Sequence, residues 1–191
     1  MTETETLCNG KWLRLKRRGR WEYAERTNPG GGVIIIAVTP DERVLFVEQY
    51  RPAIECMTIE MPAGLVGDAA SHADESAVDA ALRELEEETG YRAGHVDFLM
   101  AGPTSAGMSN EILAFVHARD LERVHAGGGD ATEEIRVHEV PRGEALAWLM
   151  DHLRAGWSVD PKIFAGLYML EHAQAFARVG QAAAGGSEAA G

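Results

Sequence analysis

Glu84, Glu87 and Glu88 stand three and four residues apart in the run Arg83-Glu84-Leu85-Glu86-Glu87-Glu88-Thr89-Gly90-Tyr91. On a helix all three fall within one narrow stripe. Like charges stacked at that spacing repel by about a few tenths of a kcal/mol per pair. Two readings follow. One is a solvated acidic face, the ordinary place for charge on a helix. The other is a divalent-cation site, in which carboxylates of successive turns converge on one or two Mg²⁺ ions that keep waters and accept substrate phosphates. Arg83 sits beside the cluster and Glu75 lies eight residues before it, about two helical turns away, so a structural Glu75–Arg83 pair is expected.

A second acidic stretch, 126–134, reads Ala-Gly-Gly-Gly-Asp-Ala-Thr-Glu-Glu. Its three glycines read as a flexible hinge. Its carboxylates are either a solvated loop or groups that can be carried to a reacting water. Arg51 closes the run Val47-Glu48-Gln49-Tyr50-Arg51. It is either a surface arginine at a strand end or a phosphate ligand, a role that a planar guanidinium suits because it holds two oxygens at once. The remaining candidates are weaker. His72, His95, His125, His138, His152 and His172 form no H-x-x-x-H pair and have no cysteine at zinc spacing. Gly30-Gly31-Gly32 lacks the Lys-Ser/Thr of a phosphate loop and precedes a strand. Ser105 and Ser109 lack a G-x-S-x-G frame, so nucleophilic serine chemistry has no support.

The elements that must position these groups follow from periodicity. Period-two alternation at 12–16 and 21–25, with a turn near Gly19, predicts an N-terminal β-hairpin. Its Trp12, Trp21 and Tyr23 could stack on a base, or pack the hairpin or a dimer contact. Further strands are expected at 33–39, 44–49, 57–61, 96–100, 112–118 and 135–140, with turn chemistry at Pro40-Asp41-Glu42. Residues 75–89 carry Val78, Ala81, Leu82 and Leu85 at helical spacing, and 143–153 carry Ala145, Leu146, Leu149 and Leu153. Asp160-Pro161 reads as a cap and first-turn proline, opening a helix that runs to about 178 and turns Ile163, Leu167 and Leu170 inward. Many strands, one helix, more strands and two helices describe an α+β fold, a mixed β-sheet flanked by helices.

The chain has 191 residues, 46% of them hydrophobic and 25% charged, enough to bury a core. Eighteen Lys and Arg face 30 Asp and Glu, for a net charge of −12. A field of that sign argues against nucleic-acid partners and membrane docking. It does not repel a small anion once a divalent metal inverts the local sign. Two cysteines, Cys8 and Cys56, suit a reducing compartment. The longest aliphatic run, 33–38, is far short of a spanning helix. The alternating Thr and Glu of 1–6 hold no leader pattern. The expected division is 1–28 as the hairpin and dimerisation element, 29–179 as the main domain, and 180–191 as a disordered tail.

The pattern Glu75-x7-Arg83-Glu84-Leu85-x-Glu87-Glu88-x-Gly90-Tyr91 resembles the Nudix hydrolase box, G-x5-E-x7-R-E-U-x-E-E-x-G-U, where U is bulky and apolar. The opening glycine departs from it. Gly64 leaves ten residues before Glu75 and Gly67 leaves seven. Glu60-Met61-Pro62-Ala63-Gly64-Leu65 resembles the strand end before the box in ADP-ribose pyrophosphatases, so Gly64 is the preferred match and 67–74 carries a five-residue insertion. Surface loops tolerate insertions at small entropic cost.

The resemblance spans roughly 12–170 and implies a Nudix fold, an α/β/α sandwich with the N-terminal β-hairpin appended. The implied activity is Mg²⁺-dependent (or Mn²⁺-dependent) hydrolysis of a nucleoside diphosphate sugar, ADP-ribose to AMP and ribose 5-phosphate, by a cytoplasmic homodimer. It assigns Ala63, Glu84, Glu87 and Glu88 to metal, Glu133, Glu87 and Arg83 to catalysis, and Arg51, Glu60, Glu111 and Ser105 to substrate. Gly64, Glu75 and Gly90 are structural. In this branch the base is a carboxylate on a late mobile loop. Glu133 takes that place, with Asp130 and Glu134 beside it. Ser105-Ala106-Gly107-Met108-Ser109-Asn110-Glu111 resembles the Ser-Pro-Gly-Phe-Ser-Asp-Glu stretch of the branch, with Ala106 where ADP-ribose specificity carries proline. That departure keeps GDP-mannose-type substrates open. A nucleotide-sugar sensor that binds without cutting is the reading from another class.

Overall fold

The structure is a computed structural model that describes residues 3–28, 30–67, 72, 74–129 and 134–176. The strands are β1 (Thr4–Asn9), β2 (Leu13–Arg18), β3 (Trp21–Arg26), β4 (Gly32–Ala37), β5 (Arg43–Arg51), β6 (Cys56–Glu60), β7 (Ala63–Leu65), β8 (Tyr91–Pro103), β9 (Ile112–Arg123), β10 (Arg136–Pro141) and β11 (Ser158–Val159). The helices are α1 (Ala77–Thr89), α2 (Ala145–Arg154) and α3 (Lys162–Glu171).

The aliphatic run of 33–38 explains the layering. A strand buried on both faces reads as continuously apolar. Along β4, Val33, Ile35 and Ala37 pack with Ala81 and Leu85 of α1, while Ile34 and Ile36 pack with Ile163 and Met169 of α3. β4 is central in a four-stranded sheet of order β7-β4-β9-β8, parallel to β9 and antiparallel to β7. A second four-stranded sheet runs β10-β5-β6-β11. Mixed sheets between α1 on one side and α2 and α3 on the other form the expected sandwich.

The expected N-terminal hairpin is present as β2–β3, and β1 extends it into a three-stranded antiparallel sheet. β1 has no hydrophobic alternation. It is held by cross-strand polar pairs instead, Arg17 to Glu5 at 2.6 Å and Lys16 Nζ to Thr6 Oγ1 at 3.1 Å. The sheet joins the rest of the chain through the 104–111 loop, with Ala24 N donating to Met108 O at 2.8 Å.

Other elements shift for identifiable reasons. Leu146 and Leu153 are 57% and 39% exposed, because α2 turns Ala145 and Leu149 inward and Trp148 stacks on Phe46 at 5.6 Å. α3 ends at Glu171, where His172 leaves helical geometry; residues 173–176 are helical again, so the expected run is interrupted at His172, and 177–178 lie outside the described residues. Asp160 caps as expected, its Oδ1 accepting from Lys162 N at 2.8 Å. β7 and β11, of three and two residues, are too short to show periodicity. No helix among the described residues is long and apolar enough to cross a membrane.

Candidate active site

The carboxylate helix starts with a reciprocal cap. Ser76 Oγ accepts from Asp79 N, and the Asp79 side chain accepts from Ser76 N. It stops at Gly90, whose φ of 75° is left-handed and costs glycine little. Between them α1 buries Ala80, Ala81 and Leu85 against β4, which fixes the rotation of the helix. The carboxylate stripe borders that buried face, with Glu88 itself buried, and lies at the β7 end. A groove of about 440 Å³ opens there, lined by Ala63, Gly64, Arg83, Glu84, Glu87 and Glu88 together with Gln49, Arg51, Glu60, Thr104, Glu111, Arg26 and Lys162.

Each position has a physical cause. A Cβ on Gly64 would lie 1.9 Å from Glu84 Cδ, so only glycine lets that carboxylate pass beside β7. Glu88 is 4% exposed, and its Oε2 accepts from Ala63 N at 3.1 Å. Arg83 binds Glu75 at 2.9 Å, Glu84 at 3.0 Å, Glu87 at 3.3 Å and the Leu65 carbonyl at 3.2 Å. The hydrogen bond from Arg83 holds the Glu75 carboxyl below the usual glutamate range, and Gly67 N–H adds to it against the opposing cost of burial. Arg51 donates from Nε and Nη2 to the two Glu60 oxygens at 2.5 and 2.6 Å, and both side chains line the groove.

Because the folded Glu75 pKa is lowered, the stabilisation it provides is complete above the ordinary carboxylate range. It is lost as pH falls through the lowered value. Glu75→Gln is expected to lower Tm at pH 7 by roughly 2–8 °C, from about 1–2 kcal/mol. Calorimetry should show the gap from the parent closing as pH drops below about 4. A gap that stays constant to pH 3 would contradict the pairing.

Most expected site residues meet in this one groove: Ala63, Gly64, Glu84, Glu87, Glu88, Arg83, Arg51, Glu60 and Glu111. Ser105 does not line it. Its carbonyl closes a turn by accepting from Met108 and Ser109 N–H, and the hydroxyl of that loop facing the groove is Thr104 Oγ1, 3.2 Å from Glu111. Glu133 and Asp130 lie outside the described residues, and Glu134 is exposed. The glycines before them form no free hinge. Gly128 N donates to Glu88 O at 2.8 Å and Gly129 N to Glu87 O at 3.1 Å, so this segment is docked on the end of α1.

Sequence reasoning missed Lys162, Arg26, Gln49 and Thr104 as groove residues. Lys162 follows the Asp160 cap, and β11 sets it beside β6, with Asp160 N donating to Ile59 O at 2.9 Å. Asp160 pairs with the Lys162 ammonium. Arg26 reaches in from β3 to pair with Glu111. That pair also forms one wall of a larger cavity of about 580 Å³ beneath the N-terminal sheet, which carries none of the α1 carboxylates.

The donor set of Glu84, Glu87 and Glu88 is all oxygen, the chemistry that Mg²⁺ and Mn²⁺ take. Among the described residues no three His, Cys, Asp or Glu side chains already converge on one point. Glu84 and Glu87 turn to Arg83 instead, and a divalent ion would compete with that guanidinium for them. The residues fit the ion in type and place.

A mixed-sheet sandwich that turns a carboxylate helix toward a cation-lined groove defines one class of fold. The chain belongs to the Nudix family: the NUDIX domain model matches residues 28–159. It is similar to the "Methanol dehydrogenase activator" of Bacillus methanolicus, 31% identical over 78% of this chain and 82% of that one. It is 35% identical to an "ADP-ribose pyrophosphatase" of Bacillus subtilis (67% of each). It is 36% identical to a "GDP-mannose pyrophosphatase" of Salmonella arizonae (74% and 72%). A crystal structure of an "ADP compounds hydrolase" superposes with a TM-score of 0.66 at 22% identity, covering 89% of this chain and 90% of that one.

Proposed function

We propose that this Nudix pyrophosphatase cuts the pyrophosphate of a nucleoside diphosphate sugar, giving a nucleoside monophosphate and a sugar phosphate, with ADP-ribose as the substrate. The observation that carries the reading is one groove holding three α1 carboxylates together with Arg51 and Lys162. A diphosphate needs both: cations for its own oxygens, and carboxylates for the ions that neutralise the rest.

Glu84, Glu87 and Glu88 would hold Mg²⁺ or Mn²⁺, assisted by the Ala63 backbone, and the ion supplies charge neutralisation and a more acidic water. Arg51 binds a phosphate oxygen pair and Glu60 keeps its fork in plane. Lys162 adds a mobile point charge at the same end. Glu133 accepts the proton of the attacking water. Arg83 orders Glu84 and Glu87 while Glu75 anchors it from behind. Glu111 and Thr104 shape the wall toward the nucleoside or sugar.

Ala106, standing where ADP-ribose specificity carries proline, favours a second reading in which GDP-mannose is the better substrate. Steady-state comparison of the two with Mg²⁺, reading products by chromatography, decides. A higher kcat/KM for ADP-ribose supports the first reading, and the reverse order supports the second. Tight binding of both without cleavage would make the chain a sensor.

The assembly we propose is a cytoplasmic homodimer. Leu13 and Leu15 are 49 and 41% exposed on one face of the N-terminal sheet, an apolar pair suited to a second copy, while Trp21, 54% exposed, shares the other face with Lys16 and Arg18. Light scattering at micromolar concentration should give twice the chain mass, and Leu15→Glu should return it to the monomer. A monomeric parent protein would refute this.

A further inference from the structure

Glu87 and Glu88 occupy the last turn of α1, where backbone carbonyls have no partner further along the helix. Those carbonyls carry the negative end of the helix dipole, beside two carboxylates. Such a turn frays unless something donates to it. Here the donors come from a segment more than thirty residues away in sequence. Gly128 N–H reaches Glu88 O at 2.8 Å and Gly129 N–H reaches Glu87 O at 3.1 Å, while Val124 N–H reaches Gly90 O at 2.8 Å.

Only glycine can make this contact. Gly127, Gly128 and Gly129 have φ values of 73, 117 and 80°, three successive positive angles that L side chains resist. A Cβ on Gly127 would lie 2.4 Å from Thr89 C and 2.8 Å from Glu88 O. Neither neighbour is a flexible side chain that could move aside.

We propose that Gly127, Gly128 and Gly129 are positioning residues for the metal-binding carboxylates, their backbone donors holding the last turn of α1 so that Glu87 and Glu88 meet the groove in register. The proposal rests on the metal-site reading given above. It treats the glycines as a fixed brace on the helix end. Unseating them lets the last turn fray, and the affinity for divalent metal falls while the rest of the domain stays folded.

The test is Mn²⁺ binding to the full chain, followed by the electron paramagnetic resonance of the free ion, for the parent, Gly127→Ala, Glu88→Gln and Gly143→Ala. Gly143 is a control, since a Cβ there meets nothing within 4 Å. Gly127→Ala should raise the Mn²⁺ dissociation constant about 10–100-fold, the usual effect of losing outer support at a metal site. Gly143→Ala should match the parent. A purely structural role lowers Tm or the folded fraction and leaves the dissociation constant of the folded molecules unchanged. That result would overturn the proposal. If Gly127→Ala does not fold, Gly129→Ala serves in its place. Hydrogen exchange on the parent is a further check, because Gly128 and Gly129 amides that exchange as fast as exposed ones would also overturn it. A parent that binds no Mn²⁺, or a Glu88→Gln variant that binds as well as the parent, sinks the metal-site reading and this inference together. Loss in Glu88→Gln with no change in either glycine variant sinks the inference alone.

Discussion

Glu88→Gln is expected to lower kcat about 10³-fold, roughly 4 kcal/mol of transition-state stabilisation, while Tm stays level or rises. The two effects have separate origins. Glu88 is buried, and its Oε2 accepts from Ala63 N at 3.1 Å. The glutamine oxygen can accept the same hydrogen bond, so the contact that joins α1 to β7 survives. One of three charges stacked in a stripe is removed, and the folded state loses repulsion. The new NH₂ can donate to a neighbouring carboxylate. Neutral amide oxygen is a poorer ligand for a hard divalent ion than carboxylate, and turnover collapses. Initial rates with saturating Mg²⁺ and a thermal melt of the same sample check both halves. Near-parental kcat would remove Glu88 from the site. A large fall in Tm would assign it to structure.

The second large effect falls on the base. The box glutamates are committed to metal and to Arg83, so the proton of the attacking water needs another acceptor. Glu133→Gln is expected to lower kcat about 10²–10⁴-fold with little change in KM, the pattern of a group engaged only as bonds change. Asp130→Asn and Glu134→Gln should each do less. Loss in a neighbour with an intact Glu133→Gln would move the base along the segment. Silence in all three would place the base at Glu87 and end the late-loop mechanism.

Much of this was legible because spacing carries it. Glu84, Glu87 and Glu88 share a stripe by helical geometry alone, and the apolar residues of the same helix, by fixing which face meets β4, set that stripe at the edge of the contact, beside β7. The double-sided burial of β4 was visible in its unbroken aliphatic run. Residues that come from pairing rather than period were not. β1 is held by cross-strand polar pairs in a segment without hydrophobic alternation. Lys162 enters the groove because a two-residue strand, β11, lies parallel to β6. Glu48, only 2% exposed, meets His138 at 2.9 Å and Arg136 at 3.3 Å across the β5–β10 register, which no local pattern encodes. Gly127, Gly128 and Gly129 read as a hinge because glycine permits both freedom and close approach. Only the position of the α1 carbonyls distinguishes the two.

The central claim is that the α1 carboxylates and the groove cations together serve the cleavage of a pyrophosphate. Its most direct test is a panel of nucleoside diphosphate sugars incubated with the full chain and Mg²⁺, reading phosphate released by a coupled phosphatase that attacks only the monoester products. The account predicts steady release from at least one member of the panel, ADP-ribose foremost, abolished by chelation and restored by added Mg²⁺. Release that persists unchanged after metal is stripped, or no release from any member while the protein is folded and Mg²⁺ is saturating, would contradict it.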